Sequence, residues 1–430
     1  MSTSPNHFSL QQPGEQPAFR RFFSNLGPGL ITGAADDDPS GISTYSIAGA
    51  AFGYLPLWTA VVSFPLMAAV QLMCARLGLV TGLGLAGVIR RRYSRWVLWG
   101  ACSLLVVANV INIAADLGGM AAAAMMVSGT PVALAVPVFG VVIVGLLMWS
   151  SYRTIARVFK WLTLVLLSYV ATAFVAHVDW RLALRATVFP HLEWSRAFFS
   201  VLVAILGTTI SPYLFFWQAA QEVEEERARG RNFARRRGAT SEELKACRAD
   251  ILTGMFASNA IMYFIIVTTA ATLHAHGQTN IATAQEAAEA LRPLAGRGAY
   301  WLFTLGLIGT GMLAVPVLAG SCAYAIAEAS AWRGSLDRRP RRARKFYIVL
   351  AVAMGLGIAL NYVGLNPIRL LFSTAVINGV LAPPLILIVL LLTRDRTVMG
   401  DAVNSRLVEF LGWVTFVVMV AAALGLLVTS

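Results

Sequence analysis

Residues 27–45 read GPGLITGAADDDPSGISTY. The flanks have the composition of a membrane helix, yet the middle holds three consecutive carboxylates, Asp36, Asp37 and Asp38. An ionised side chain at bilayer depth costs at least about 2.5–3.5 kcal/mol, and three neighbours also repel one another. Pro39 forbids a continuous helical hydrogen-bond ladder, and Ser40-Gly41 leave the backbone free to open. Lipid cannot satisfy broken backbone, so this segment must face protein or a water-filled cavity. The stretch therefore reads as a cation site in an interrupted membrane helix. Asp-Pro is also an ordinary helix start, with Asp38 as N-cap and Pro39 at the first helical position. Capping uses one carboxylate; the sequence supplies three.

Composition sets the frame around this stretch. Of 430 residues, 57% are hydrophobic and 13% charged, against about 25% charged in soluble domains. That is a polytopic membrane protein. Each span needs about 20 apolar residues, and the chain supplies about eleven such segments. No cleavable signal peptide is visible, so the first span is expected to insert and stay. The net charge of +13 is unevenly spread: of 34 Lys and Arg, 27 fall in loops on one side, 6 on the other, and Arg76 lies at a span end. This is the positive-inside asymmetry, which fixes topology and points away from nucleic acid. It predicts a cell-membrane protein with a cytoplasmic amino terminus and, after an odd number of spans, an outside carboxyl terminus. Cys74, Cys102, Cys247 and Cys322 show no paired spacing and read as packing residues.

In chain order, residues 1–21 read as a disordered cytoplasmic tail. Spans are predicted at about 22–48, 56–80, 96–127, 131–149 and 157–177, followed by an outer loop at about 178–194. The third span carries Asn109, Asn112 and Asp116. The sixth span holds LGTTISPYLFF, where Gly207 and Pro212 bracket Thr208, Thr209, Ile210 and Ser211. Such a break frees carbonyls and supplies hydroxyl oxygens, although membrane helices also tolerate a simple proline kink. The remaining spans fall at about 250–273, 299–331, 345–362, 368–392 and 407–428. The loop pair His274 and His276 lacks a third nearby ligand and reads as exposed loop.

Two interrupted spans, five apart, point to an inverted-repeat transporter with a midplane site. The predicted fold is all-α, with about eleven transmembrane helices in an inverted five-plus-five, LeuT-like repeat whose helices one and six are broken. The repeats are expected at 22–178 and 179–393, with an additional span in 394–430.

With these residues in view, the chain resembles the NRAMP family of divalent-metal transporters over nearly its whole length. GPG followed by Asp-Pro in the first span, the string ARLGLVTGLGLAGVIRRRY at 75–93 with its RLGxVTG core, and the third-span Asp116 carry the resemblance. The departures are informative. Where the family usually has Asp-Pro-Gly-Asn, this chain has Asp38-Pro39-Ser40-Gly41; where it has Ala-x-x-Met-Pro-His, this chain has Thr208-Thr209-Ile210-Ser211-Pro212-Tyr213. Gly119 replaces the Glu usual three residues after the third-span Asp. The pattern looks like the divergent NRAMP-related magnesium transporter branch.

The chemistry agrees with that likeness on separate grounds. A Met thioether is a soft ligand favouring transition metals; Ser211 leaves oxygen donors. Magnesium prefers one or two carboxylates and retains several waters, and manganese also accepts oxygen ligands. Tyr213, with a reference pKa near 10, and Gly119 cannot relay protons as His and Glu could. The expectation is transport of magnesium, and also manganese, by alternating access without proton coupling or a resident cofactor. Asp38 is the first-choice ligand and Asp37 the next. Thr208, Thr209, Ser211 and the small Gly41 are expected to shape and complete the shell, with Asp116, Asn378 and Tyr213 in support. The alternatives are a proton-coupled manganese or iron importer of the ordinary family type and a sodium-coupled organic-solute symporter. An intramembrane phosphate enzyme would need Asp-Asp-x-x-Asp, and Ser40 and Gly41 stand where its last Asp would fall.

Overall fold

Prolines set the breaks. In the computed structural model, which describes residues 27–149, 161, 164–231, 238–332, 334–338 and 340–429, the first span is two helices, α1 (Pro28–Asp36) and α2 (Pro39–Phe52). Then follow α3 (Trp58–Thr81), a short α4 (Leu85–Arg92), α5 (Arg95–Ser128) and α6 (Val132–Trp149). The fifth span is described in part, through α7 (Leu167–Val175). After α8 (Trp180–Val188), the sixth span is again two helices, α9 (Arg196–Thr209) and α10 (Pro212–Ala228). The last five are α11 (Ser241–Thr272), α12 (Ala299–Ala329), α13 (Arg344–Leu360), α14 (Pro367–Arg394) and α15 (Arg406–Val428). No strand occurs among the described residues.

Nine helical segments among the described residues are long and apolar enough to cross a membrane. The first span falls outside that number because its two pieces are short, and the fifth because only its end is described. The polytopic all-α architecture with breaks in spans one and six is the one expected from sequence. The expected tail at 1–21, the basic loop Arg153–Lys160, the run Arg235–Arg237 and Arg333 lie outside the described residues.

Two boundaries differ from expectation. The outer connection contains α8, where a loop was predicted. Asp179 caps it through the Leu182 N–H, and its Leu182, Leu184 and Val188 are solvent-exposed. An amphipathic helix of this kind lies in the bilayer interface. The seventh span begins earlier, at Ser241, where Thr240 and Glu243 form a reciprocal capping box.

The breaks sit at the centre because their neighbours pack tightly around them. Both α1 and α2 lie against α11, α9 runs along α14, α10 along α3, and α5 along α12. Glycines permit the closest approaches. A Cβ on Gly207 would collide with the backbone of Ala375 and Gly379, and one on Gly33 with the backbone of Gly254. The outer faces of α6 and α15 expose Val138, Val141, Phe410 and Leu427. That is a lipid-facing surface.

Candidate metal site

Asp38 has extended backbone, as the residue before a proline must. Its Oδ1 accepts the Gly41 N–H at 2.6 Å, so it caps α2; its Oδ2 lies 3.4 Å from the Tyr213 hydroxyl. The capping and site readings therefore divide one carboxylate between them. Asp36 and Asp37 share a partner that sequence reasoning missed: the Ser258 hydroxyl on α11 lies 2.7 Å from Asp36 Oδ2 and 3.1 Å from Asp37 Oδ1. A hydroxyl has one proton to donate, so it cannot fully compensate both. Asp36 Oδ1 has no hydrogen-bond partner among the described residues.

The second break mirrors the first. Ser211 is extended ahead of Pro212, and its hydroxyl donates back to the Thr208 carbonyl (2.7 Å) and the Gly207 carbonyl (3.0 Å). The Thr209 hydroxyl likewise donates to the Ile205 carbonyl. Both protons thus serve the frayed end of α9, while the hydroxyl lone pairs remain available as donors to a cation. Thr208 Oγ1 is buried and has no well-formed partner among the described residues.

Gly41 brings the two breaks together. A Cβ there would lie 3.2 Å from Thr208 Oγ1 and 3.4 Å from the Asp36 carbonyl oxygen. Tyr213 adds a second link, donating its hydroxyl to the Ala35 carbonyl at the end of α1 (3.0 Å). Carbonyl ends of α1 and α9 accordingly converge on one region, and such helix ends attract cations.

Of the supporting residues, Asp116 on α5 faces the Ser40 N–H and is near enough to Asp38 for their charges to repel. Neither of its oxygens has a well-formed partner among the described residues. Asn378 accepts from the Asn112 amide at 3.1 Å, an interhelical hydrogen bond. Asp36, Asp37, Asp38, Asp116, Thr208, Thr209, Ser211 and Tyr213 are all buried. Among the described residues none of these carboxylates has an ion pair. Also among the described residues, no three His, Cys, Asp or Glu side chains converge as a direct metal cage. Buried carboxylates are normally paired, and their clustering here without a counter-charge among the described residues makes this the place for a positive charge.

On the loop-rich side below the site lies a chain that sequence reasoning did not anticipate. Thr32 donates to Gln218 (2.5 Å), Gln218 to Glu222 (2.9 Å), and the Cys247 thiol reaches Glu222 at 3.7 Å. Asp250 accepts the backbone N–H groups of Gly27 (3.0 Å), Gly29 (2.6 Å) and Leu30 (3.3 Å), fastening the start of α1 to α11. The spacing of Gln218 and Glu222, one helical turn apart, was the available signal. His274 and His276, by contrast, each bond a backbone carbonyl, of Ala50 and Thr272, close to helix ends.

Two facing broken helices and an uncompensated anionic cluster define a membrane transporter of the LeuT-like class. The chain belongs to the Nramp family: the model for natural resistance-associated macrophage protein-like sequences matches residues 29–429. Membership makes it a divalent-metal transporter in a multi-pass membrane setting rather than a member of an enzyme family. Among solved structures it is similar to the Eremococcus coleocola manganese transporter crystallised with an aromatic bis-isothiourea compound. The two are 20% identical, with 98% of this chain and 89% of that one covered and a TM-score of 0.75. It is also similar to Mhp1, a nucleobase-cation-symport-1 family transporter in a closed conformation with bromovinylhydantoin bound. There the identity is 14%, coverage 93% and 90%, and the TM-score 0.57.

Proposed function

We propose that this chain carries magnesium, and manganese as well, across the cell membrane by alternating access without proton coupling. One observation carries the reading: the breaks offer oxygen donors, with the Ser211 hydroxyl and Tyr213 at the positions where the family usually has a thioether and an imidazole. Asp38 Oδ2 is the primary anionic donor. The Asp37 carboxylate, the Thr208 carbonyl and the Thr209 and Ser211 hydroxyls complete the shell, in part through the ion's own waters. Oxygen ligands and retained water suit a small hard dication. The basic loops face the cytoplasm in this reading, with the carboxyl terminus outside. A divalent cation entering at −100 mV gains about 4.6 kcal/mol, enough to drive uptake without protons.

A proton-coupled manganese importer is the second reading, favoured by the proximity of Asp116 to Asp38. Restoring soft and amide donors tests the oxygen-donor reading, and recording internal pH during uptake tests the coupling. Ser211→Met with Gly41→Asn should shift uptake from magnesium toward manganese and cadmium. A Cβ at Gly41 would already lie 3.2 Å from Thr208 Oγ1, so a melting curve accompanies the uptake assay to show that the double variant folds. An unchanged ratio of metal uptake rates in the folded double variant would count against the span-six break as part of the ion's shell.

A further inference from the structure

A second site lies away from the two breaks, at the far end of α10, on the face that carries the basic loops. A cavity of about 410 Å³ opens between α4, α10 and the connection from α12 to α13. Its charged lining is Arg90, Arg227, Arg338, Glu224 and Glu328, with Trp332 at its rim. The two carboxylates already have partners. Glu328 accepts the N–H groups of Gly84 (3.1 Å) and Gly87 (3.0 Å); Glu224 accepts the Ser335 hydroxyl (2.6 Å) and pairs with Arg227 (3.2 Å). The backbone of Arg338 donates to the Ser335 carbonyl (3.3 Å) and accepts the Tyr347 hydroxyl (3.0 Å), and its charge attracts that of Glu224. Among the described residues, neither the Arg90 nor the Arg338 guanidinium forms an ion pair or hydrogen bond. Lys345 stands over the Trp332 ring, 4.9 Å from its centroid, and adds positive charge nearby.

We propose that this cavity binds a phosphate group through Arg90 and Arg338, with Arg227 alongside. Guanidinium forks match phosphate oxygens two at a time, and basic pockets between membrane helices on the cytoplasmic side take phosphate head groups. The cavity is large enough for a phosphate with a substituent of sugar or glycerol size. Its three arginines come from different elements. Arg227 lies in the last turn of α10, the second half of the sixth span, Arg90 in the last turn of α4, and Arg338 beyond α12. An anion held by all three ties the half-helix to its surroundings.

The phosphate can belong to a soluble anion or to an anionic lipid, and two measurements on the full chain tell them apart. Pyrophosphate is titrated calorimetrically into protein held in phosphatidylcholine nanodiscs. Native mass spectrometry counts phosphatidylglycerol retained after exposure to mixed vesicles. Arg90→Gln with Arg338→Gln should weaken whichever ligand binds by about tenfold or more, because each variant removes a charge-assisted donor pair. Arg341→Gln with Arg342→Gln, on the same basic connection but outside the cavity, should change neither. Loss of pyrophosphate binding identifies a soluble anion; loss of one retained phosphatidylglycerol identifies a lipid head group. If neither ligand binds the wild type, or if the cavity and control variants behave alike, the proposal is overturned. Arg338→Gln alone, outside any helix, guards against a folding failure in the double variant.

Discussion

Asp38→Asn removes one charge from the first break and leaves its shape intact. The retained amide oxygen can accept the Gly41 N–H that Asp38 Oδ1 now accepts at 2.6 Å, and Asn ranks beside Asp as an N-cap. Thermal stability should hold or rise, because repulsion with Asp36, Asp37 and Asp116 is relieved. Ion binding responds differently. For a dication held through one of its own waters about 5 Å from the carboxylate, with an effective dielectric constant of about 20, the attraction is roughly 6–7 kcal/mol, and direct contact would raise it. If water and the remaining carboxylates recover roughly two-thirds of it, about 2 kcal/mol is lost, close to a 30-fold rise in Kd. Calorimetric titration of magnesium into the purified variant, beside a melting curve, measures both quantities. A Kd within about threefold of wild type in a folded variant would refute Asp38 as an ion ligand.

Gly207→Ala should lower the melting temperature and slow transport, since the added methyl meets the Ala375 and Gly379 backbone and overpacking costs about 1–3 kcal/mol. Preserved stability would mean that α9 can shift without penalty. Asp250→Ala removes the acceptor for three N–H groups of α1, and buried Cys247 beside it reports the release. Its alkylation by a maleimide should accelerate about tenfold, in keeping with the loss of a helix cap. Equal labelling rates would show that Asp250 does not hold this face closed. Asn378→Ala leaves the Asn112 amide buried and unpaired, a cost of about 1–3 kcal/mol, and should lower the melting temperature while magnesium is still transported. Abolished transport at unchanged stability would instead make Asn378 part of the ion's shell.

The architecture was legible because its determinants are local. Asp38-Pro39 and Ser211-Pro212 each forbid the hydrogen bond that would continue a helix, and both helices stop there. Apolar length and basic loops located most span ends within a few residues. The candidate site was legible in its charged members and not in its partners. Ser258 is one hydroxyl in an apolar helix, with nothing local to tie it to Asp36 and Asp37 more than 200 positions away. The same holds for Asp250, which meets α1 only through folding. Ser211 and Thr209 were named for their hydroxyls, but the sequence does not say that those protons close the frayed end of α9. The helix α8 was missed because it is only nine residues long and its apolar residues are interrupted by Arg181 and Arg185.

The most direct test of the account is magnesium uptake into liposomes holding the purified protein and a magnesium indicator. Uptake is followed with and without an inward pH gradient while internal pH is recorded. The account predicts magnesium entry driven by its own gradient and by an inside-negative potential, with no accompanying acidification. Manganese entry coupled to acidification, with no magnesium flux, would contradict it.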